Sequence, residues 1–345
     1  MKSLTVNDKG HLSIQNIAVP QINDYQALVR MESCGVCRGT DSKLIHGQFK
    51  GFHTYPAILG HEGVGRVIEL GKYVQSFELE DLVLLPFIET ETDGYYSGWG
   101  AFSEFAVVGD AAAMIAHGKG PGNPSFSEAY YAQQKVPSEI SSVHAAMIIT
   151  FREVLSACKR FGFREKASLV VYGAGPVGLA FVKFAKLLGM SPIIVSVNRD
   201  EKLQEAIDMG ADYAFNSNKV NEVEAIRKLA PDGIDYIVDA VGDNAIINQA
   251  MKLVKYNGVI GCYGISSQLQ MNLDWSLAPY NWTLQFVQWP SKLEESLCHE
   301  QIIAWIQAGV LDPAVFISHV MDFSNVLDAF ELVNSGSVRK MIIQF

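Results

Sequence analysis

The sequence LVVYGAGPVG at residues 169–178 decides the fold of this chain. Its four leading apolar residues predict a buried strand, and the helical pattern behind the glycines continues to Leu188. In a G-x-G-x-x-G motif the first glycine allows a tight turn, the second lets a pyrophosphate approach the backbone, and the third lets helix and strand pack closely. The helix N-terminus adds unpaired N–H groups and a positive dipole end. The segment therefore predicts a dinucleotide site formed by Gly173, Gly175, Pro176, Val177 and Gly178, against the alternative of a β–α turn that binds nothing.

Strand and helix patterns alternate on both sides of this loop. A helix is predicted from Ser141 to Cys158, before the loop. The predicted strands beyond the loop cover 192–197, 236–238 and 258–263, and the predicted helices cover 201–209 and 245–254. Because β–α–β units join parallel strands, we expect an α/β region with a doubly wound parallel sheet, the Rossmann arrangement.

The N-terminal third of the chain has a different pattern. Short alternating apolar runs between residues 4 and 108, broken by glycine, proline and charged residues, predict antiparallel strands that could close a small barrel. Residues 110–137 are interpreted as a long surface excursion, either a lid or a subunit contact. A chain of 345 residues agrees with two domains.

Composition excludes several classes of function. The net charge is −10 and no block of Lys and Arg occurs, which argues against a nucleic-acid surface. No apolar run approaches the ~18 residues that a membrane span requires. The first ten residues lack the apolar core of a signal peptide, so we expect a cytoplasmic protein. Five scattered cysteines do not resemble a disulfide framework.

The end of the second Rossmann strand predicts the type of nicotinamide cofactor. NAD-binding folds usually place an acidic residue there to hold the ribose 2′-hydroxyl. This chain has Val197 at that place, followed by Asn198 and Arg199. Because a guanidinium binds phosphate in a bidentate manner, the pattern favours NADP over NAD. The alternative is that Arg199 only opens the next helix.

A second group of residues has the chemistry of a metal site. Cys34 and Cys37 form a Cys-x-x-Cys, and His61-Glu62 follows 24 residues after Cys37. The cysteine pair could be a redox site, half of a zinc site or a coincidence. Thiolate, imidazole and carboxylate are preferred zinc ligands, and a catalytic zinc needs three of them and one open position.

These motifs together resemble a known family. CRGTD (37–41), GHE (60–62), GAFSEF (100–105) and the loop at Gly173 are similar to the zinc-dependent medium-chain dehydrogenases, the alcohol, polyol and sugar dehydrogenases with a GroES-like β-barrel catalytic domain. The resemblance implies a catalytic domain of residues 1–153, completed by about 290–345, and a Rossmann domain of 154–289. It also implies hydride transfer between a nicotinamide cofactor and a secondary alcohol or ketone, most naturally a polyol, sugar or sugar phosphate. The family further implies a homodimer or homotetramer.

The resemblance also assigns roles to particular residues. Cys37 and His61 match two catalytic zinc ligands. Family members place a third, Cys or Glu, 24 or 25 residues before the first loop glycine, but Ile149 and Ile148 stand there, so Glu62 is the expected ligand. Thr40 is the expected hydroxyl group near the metal, and Lys340 matches a family position near the cofactor phosphates, or is an ordinary surface lysine.

The sequence also departs from the family pattern at several positions. Residues 83–97 contain no cysteine, so the family's structural zinc is expected to be absent and one catalytic zinc remains. Two residues instead of one separate Cys37 from the Thr-Asp pair, and Lys43 replaces a proton-relay histidine. The aromatic residues at 280–289 could line a substrate pocket or a subunit contact. The alternatives are a zinc-free quinone or enone reductase and a non-catalytic dinucleotide-binding relative.

Overall fold

The protein folds as two units, and the computed structural model describes all 345 residues. Unit 1 comprises Met1–Arg152 and Ser291–Phe345, and unit 2 comprises Glu153–Pro290. The sequence predicts the two domain boundaries after residues 153 and 289, each one residue from the unit boundaries in the structure. In chain order the strands are β1 (Lys2–Val6), β2 (Leu12–Asn16), β3 (Gln26–Val36), β4 (Ala57–Ile58), β5 (Gly63–Leu70), β6 (Leu82–Leu84), β7 (Tyr96–Ser97), β8 (Phe105–Gly109), β9 (Lys135–Val136), β10 (Leu169–Tyr172), β11 (Ile193–Val197), β12 (Tyr213–Asn216), β13 (Ile234–Asp239), β14 (Val254–Cys262), β15 (Thr283–Phe286), β16 (His319–Asp322) and β17 (Met341–Gln344). The helices are α1 (Arg38–Ile45), α2 (Ala111–Ala116), α3 (Ser142–Phe161), α4 (Pro176–Leu187), α5 (Glu201–Met209), α6 (Glu222–Leu229), α7 (Asn244–Met251), α8 (Lys292–Ser296), α9 (His299–Gln307) and α10 (Val326–Asn334).

Unit 1 is built on two β-sheets. One has the order β2-β1-β4-β7, and the other has the order β16-β17-β3-β5-β6-β9, with β8 also paired to β3. Most of the pairs are antiparallel, which confirms the prediction for residues 4–108. Strand β3 pairs with β5, β8 and β17, and most of its residues are buried. Its apolar side chains enter one core with those of the flanking strands and α10, including Leu4, Val29, Val67, Phe102 and Phe330.

The segment from 110 to 137 is only partly at the surface. Met114 and Tyr130 are buried. The Gln133 side chain also ties the segment to the sheet, because it accepts a hydrogen bond from the Gly109 N–H (2.6 Å) and donates one to the Leu85 carbonyl (2.7 Å). A buried amide with both ends satisfied contributes to stability, whereas an unpaired one would cost free energy. This segment is therefore in part a packed element of unit 1.

Unit 2 contains the predicted doubly wound sheet. Six parallel strands have the order β12-β11-β10-β13-β14-β15. All residues of β10, β11 and β13 are buried, as expected for a sheet with helices on both faces. From the central strand β10 the chain proceeds to β11 on one side and later to β13 on the other. The carboxyl ends at this switch point are where ligands bind in open α/β sheets.

Three elements of unit 2 were not expected from the sequence: β12, α6 and β15. Both strands lie at the edges of the sheet and are half-exposed, so neither has the continuous apolar run of a central strand. None of the helices in the structure is long and apolar enough to cross a membrane.

Candidate active site

The pairing of β3 with β5 brings the two predicted metal-binding segments together. Cys34 and Gly63 are register partners, and the Gly35 N–H donates to the Glu62 carbonyl (3.0 Å). Cys37 follows the end of β3 and forms the N-cap of α1. His61 and Glu62 precede β5 directly. Side chains 24 residues apart in the chain therefore meet at one end of a strand pair.

Three potential ligand atoms form a compact cluster there. The Cys37 Sγ, a His61 ring nitrogen and a Glu62 carboxylate oxygen all lie within 4.8 Å of one another. His61 and Glu62 are buried, and Cys37 is half-buried. One soft thiolate, one imidazole and one carboxylate in this arrangement suit a tetrahedral zinc, which is a borderline-soft ion, with an open fourth position.

A second carboxylate supports this cluster. The Asp41 Oδ2 accepts the Cys37 backbone N–H (2.9 Å), and its Oδ1 lies 3.3 Å from the His61 Nδ1. Both atoms are buried, and neither has a hydrogen-bond partner apart from this contact. Burial alone would lower the pKa of His61, but the charges of Asp41 and Cys37 and the hydrogen bonds to them hold it well above its ordinary value. The site thus attracts a cation, which is what a pocket built for a divalent metal requires.

Both oxygens of the Glu62 carboxylate are engaged by other side chains. Oε1 accepts from the Thr150 hydroxyl (3.2 Å), and Oε2 forms an ion pair with the Lys340 ammonium. Burial alone would raise the pKa of Glu62, but the charges of Lys340 and His61 and these two hydrogen bonds hold it below its usual value. Gly35 makes room for the pair, because a Cβ there would lie 2.2 Å from the Glu62 Oε2.

Lys340, which the resemblance places near the cofactor phosphates, is buried beside this cluster. Its side chain is only 4% exposed, and its ammonium contacts the Glu62 carboxylate within unit 1. The structure gives it an anionic partner beside the metal-binding cluster, and its approach to the cofactor phosphates stays a prediction. Lys340 is not an ordinary surface lysine.

The remaining predicted residues of this region surround the cluster. Thr40 is buried in α1, directly before Asp41. Lys43, at the place of the family's relay histidine, donates to the Gly39 carbonyl (3.1 Å), and burial lowers its pKa. Cys34 is fully buried, and burial together with the nearby Asp41 and Glu62 carboxylates raises the pKa of its thiol well above the ordinary value. Cys34 is not part of the three-residue cluster.

The glycine-rich loop of unit 2 has the geometry that its motif predicts. Gly173 has a φ of +98°, which disfavours other residues, and a Cβ on Gly178 would lie 2.0 Å from the Gly173 carbonyl oxygen. Gly175 is the N-cap of α4, Pro176 is its first residue, and Val177 follows. A Cβ on Gly175 would meet no atom within 4 Å, so this glycine faces free space at the helix N-terminus. The first turn of α4 contains no acidic residue that would oppose an anion.

The residues that were expected to select the cofactor lie just beyond β11. Val197 is buried as the last residue of the strand, and the backbone carbonyl of Asn198 accepts from the Asn218 amide (2.9 Å). Arg199 is 43% exposed at its side chain, and its Nε lies 3.5 Å from the Glu201 carboxylate. The Arg199 carbonyl also accepts the Lys202 N–H (3.2 Å), so this residue takes part in the start of α5 as well.

The sequence did not identify two residues that contact the cluster, Asp41 and Thr150. Asp41 was noted only as part of a motif, although its position four residues after Cys37 on a helix places it one turn away. Thr150 gave no signal, because its contact with Glu62 joins residues 88 positions apart.

Comparisons with known proteins agree with this fold. Residues 23–117 match the alcohol dehydrogenase GroES-like domain, and residues 176–285 match the zinc-binding dehydrogenase domain. The chain is 30% identical to an alcohol dehydrogenase of Geobacillus stearothermophilus over 77% of each chain. It is 26% identical to a sorbitol dehydrogenase of Bombyx mori, over 96% of this chain and 94% of the relative. A solved alcohol dehydrogenase from E. coli CFT073, complexed with NADH, has a TM-score of 0.81 at 24% identity and covers 100% and 99% of the two chains.

The GroES-like unit and the parallel-sheet unit with its glycine-rich loop define a nicotinamide-dependent dehydrogenase architecture. The chain belongs to the zinc-dependent medium-chain dehydrogenase family, and it is a dehydrogenase.

Proposed function

We propose that this dehydrogenase uses one catalytic zinc to transfer hydride between a nicotinamide cofactor and a secondary alcohol or ketone. The cluster of Cys37, His61 and Glu62 carries the proposal. The substrate class is a polyol, sugar or sugar phosphate, because relatives that cover most of the chain are sorbitol and arabinitol dehydrogenases. Ile148 and Ile149, which bind no metal, stand where other branches have their third ligand.

Residues of unit 1 are proposed to bind the metal, to orient its ligands and to contact the substrate oxygen. Cys37, His61 and Glu62 hold the ion, and Asp41 orients the imidazole of His61 through its Nδ1. A zinc ion held by these three residues would supply Lewis-acid chemistry, the polarisation of an alcohol or carbonyl oxygen. Thr40 is proposed to hydrogen-bond the substrate oxygen and to pass its proton on, giving up its own hydroxyl proton as it takes that of the substrate. The absence of cysteine between residues 83 and 97 supports a single zinc per chain.

Unit 2 is proposed to bind the cofactor. The free space at Gly175 and the N-terminus of α4 receive the pyrophosphate, with Pro176 and Val177 as neighbours. NADP(H) is favoured over NAD(H) because no carboxylate replaces Val197 and the guanidinium of Arg199 is within reach of solvent. Asn198 shares this strand end.

The outer edge of unit 2 supports the proposed homodimer or homotetramer. Strand β15 is the last strand of the sheet and has no partner on its outer side. Phe286 of β15 is exposed, and so are Trp275, Tyr280 and Trp289, which lie within about ten residues of this strand in the sequence. Unpaired strand edges and exposed aromatic groups favour association.

Two measurements test the proposed function. Purified protein should contain one zinc per chain and should oxidise members of a panel of polyols and sugar phosphates faster with NADP than with NAD. A zinc-free protein that reduces quinones or enones would contradict the proposed mechanism. Cofactor binding without turnover on the panel would indicate the non-catalytic alternative.

A further inference from the structure

Helix α3 contacts the metal-binding cluster through Thr150, a residue that the sequence did not single out. Ile148 and Ile149 are fully buried and offer no ligand, but the next residue, Thr150, places its hydroxyl 3.2 Å from the Glu62 Oε1. Thr150 is 2% exposed, and so is Glu62. The contact therefore lies out of water, where a hydrogen bond to a charged acceptor is strong and its loss is costly.

This contact departs from the usual behaviour of threonine in a helix. A helical threonine commonly donates to the carbonyl of the preceding turn. Here the hydroxyl instead meets a carboxylate on another element, the segment before β5. Because a β-branched side chain is restricted at χ1, few directions are open to this donor.

Three groups together fix the orientation of the Glu62 carboxylate. Thr150 holds Oε1, Lys340 holds Oε2, and Gly35 leaves the space that the carboxylate fills. A carboxylate has about four lone-pair sites, so each oxygen that accepts one hydrogen bond can still bind a metal. Lys340 adds a positive charge that opposes a metal cation. Thr150 orients the same group without adding charge.

We infer that Thr150 is a positioning residue for the metal site, and that its hydroxyl holds Glu62 in the orientation in which Glu62 binds zinc. This inference rests on the proposed function, in which Glu62 is the third ligand. It assigns α3 an indirect role: the helix that lacks a ligand at 148 and 149 supplies the hydrogen bond that makes a ligand on another element effective. Outer-shell partners of this kind typically contribute 10–100-fold to metal affinity.

The test compares zinc affinity among variants of the full-length chain. Thr150→Val keeps the shape of the side chain and removes the donor, whereas Thr150→Ser keeps the donor. Zinc dissociation constants are measured by competition with a chromophoric chelator, and the melting temperature of each metal-free variant is recorded. We expect Thr150→Val to bind zinc roughly 10–100-fold more weakly, with Thr150→Ser close to the unaltered protein. Thr150→Ala, which also lacks the donor, should show the same loss.

A second background shows whether Thr150 acts through Glu62. Glu62→Gln should weaken zinc binding on its own, because an amide oxygen is a weaker ligand than a carboxylate. Thr150→Val added to it should cause less further loss than in the unaltered protein, because Thr150 then orients a group that contributes little to zinc binding. A residue that only stabilises the fold would lower the melting temperature by the same amount in both backgrounds. Its effect on zinc affinity would also be the same with Glu62 and with Gln at position 62.

The outcomes distinguish the positioning role of Thr150 from the ligand role of Glu62. If Glu62→Gln weakens zinc binding but Thr150→Val and Thr150→Ala do not, the positioning role is overturned and the proposed ligand set stands. If Glu62→Gln binds zinc as tightly as the unaltered protein, the ligand set fails, and the positioning role fails with it. If the unaltered chain does not bind zinc, the proposed function itself is contradicted.

Discussion

The replacement of Lys340 by methionine should convert the buried ion pair into a buried, uncompensated carboxylate. Lys340 and Glu62 are 4% and 2% exposed, so water cannot replace the lost ammonium. Breaking a buried pair by removing one partner costs about 3–5 kcal/mol. Lys340→Met should therefore lower the free energy of unfolding of the metal-free protein by about that amount near neutral pH.

The pH dependence of this loss has a definite sign. In the unaltered protein Lys340 helps to hold the pKa of Glu62 below its usual value, so the carboxylate contributes stability above the unfolded pKa of about 4.3. That contribution is lost as the pH falls through the lower pKa of the folded state. In Lys340→Met burial raises the pKa of Glu62, so stability is instead lost as the pH rises above about 4.3. The difference between the two proteins should be largest at neutral pH and should shrink toward pH 4.

Urea denaturation of the metal-free proteins between pH 4 and 8 measures this difference. Lys135→Met is a matched control, because the Lys135 Nζ lies 3.5 Å from an Asp81 carboxylate oxygen but half of its side chain is exposed. Exposed pairs contribute about 0–1 kcal/mol. A loss in Lys340→Met that is as small as in this control, or that does not vary with pH, would refute the description of Lys340 and Glu62 as a buried ion pair.

Three further predictions concern the metal and cofactor sites. Gly35→Ala should displace the Glu62 carboxylate, since the new Cβ would lie 2.2 Å from its Oε2, and zinc affinity measured by chelator competition should fall; unchanged affinity would show that this space is not needed. Arg199→Ala should weaken NADPH binding far more than NADH binding in fluorescence titrations, by roughly 1.5–3 kcal/mol for a lost charged hydrogen bond, and equal losses would rule out a 2′-phosphate contact. Gly175→Ala should weaken cofactor binding and leave the melting temperature unchanged, because the new Cβ meets no atom within 4 Å. Gly178→Ala should lower the melting temperature, because its Cβ would lie 2.0 Å from the Gly173 carbonyl oxygen. The reverse pattern would contradict the roles given to the two glycines.

The fold of unit 2 could be predicted because its central strands carry strong local signals. Strand β10 is a continuous apolar run followed by glycines that the turn requires, and helix α5 was predicted at 201–209, where it lies. Edge strands β12 and β15 lack this signal, since their half-exposed residues mix polar and aromatic side chains. Their place in the sheet depends on partners that are distant in the chain.

The metal-binding cluster was only partly accessible to sequence reasoning. Cys37, His61 and Glu62 were selected by their chemistry and by the family resemblance, and the pairing of β3 with β5 explains why they meet. The environment of Glu62 was not accessible, because Lys340 lies 278 positions away and Thr150 lies 88 positions away. A motif identifies the ligand types, but long-range contacts decide how a ligand is held.

X-ray absorption at the zinc edge tests the proposed metal centre most directly. Zinc-loaded protein should contain one zinc per chain, with one sulfur ligand at about 2.3 Å and the remaining ligands nitrogen or oxygen at about 2.0–2.2 Å. Cys37 supplies that sulfur, and the spectrum of Glu62→Gln should differ from that of the unaltered protein. A chain that retains no zinc, or a spectrum with two or more sulfur ligands, would contradict a centre formed by Cys37, His61 and Glu62.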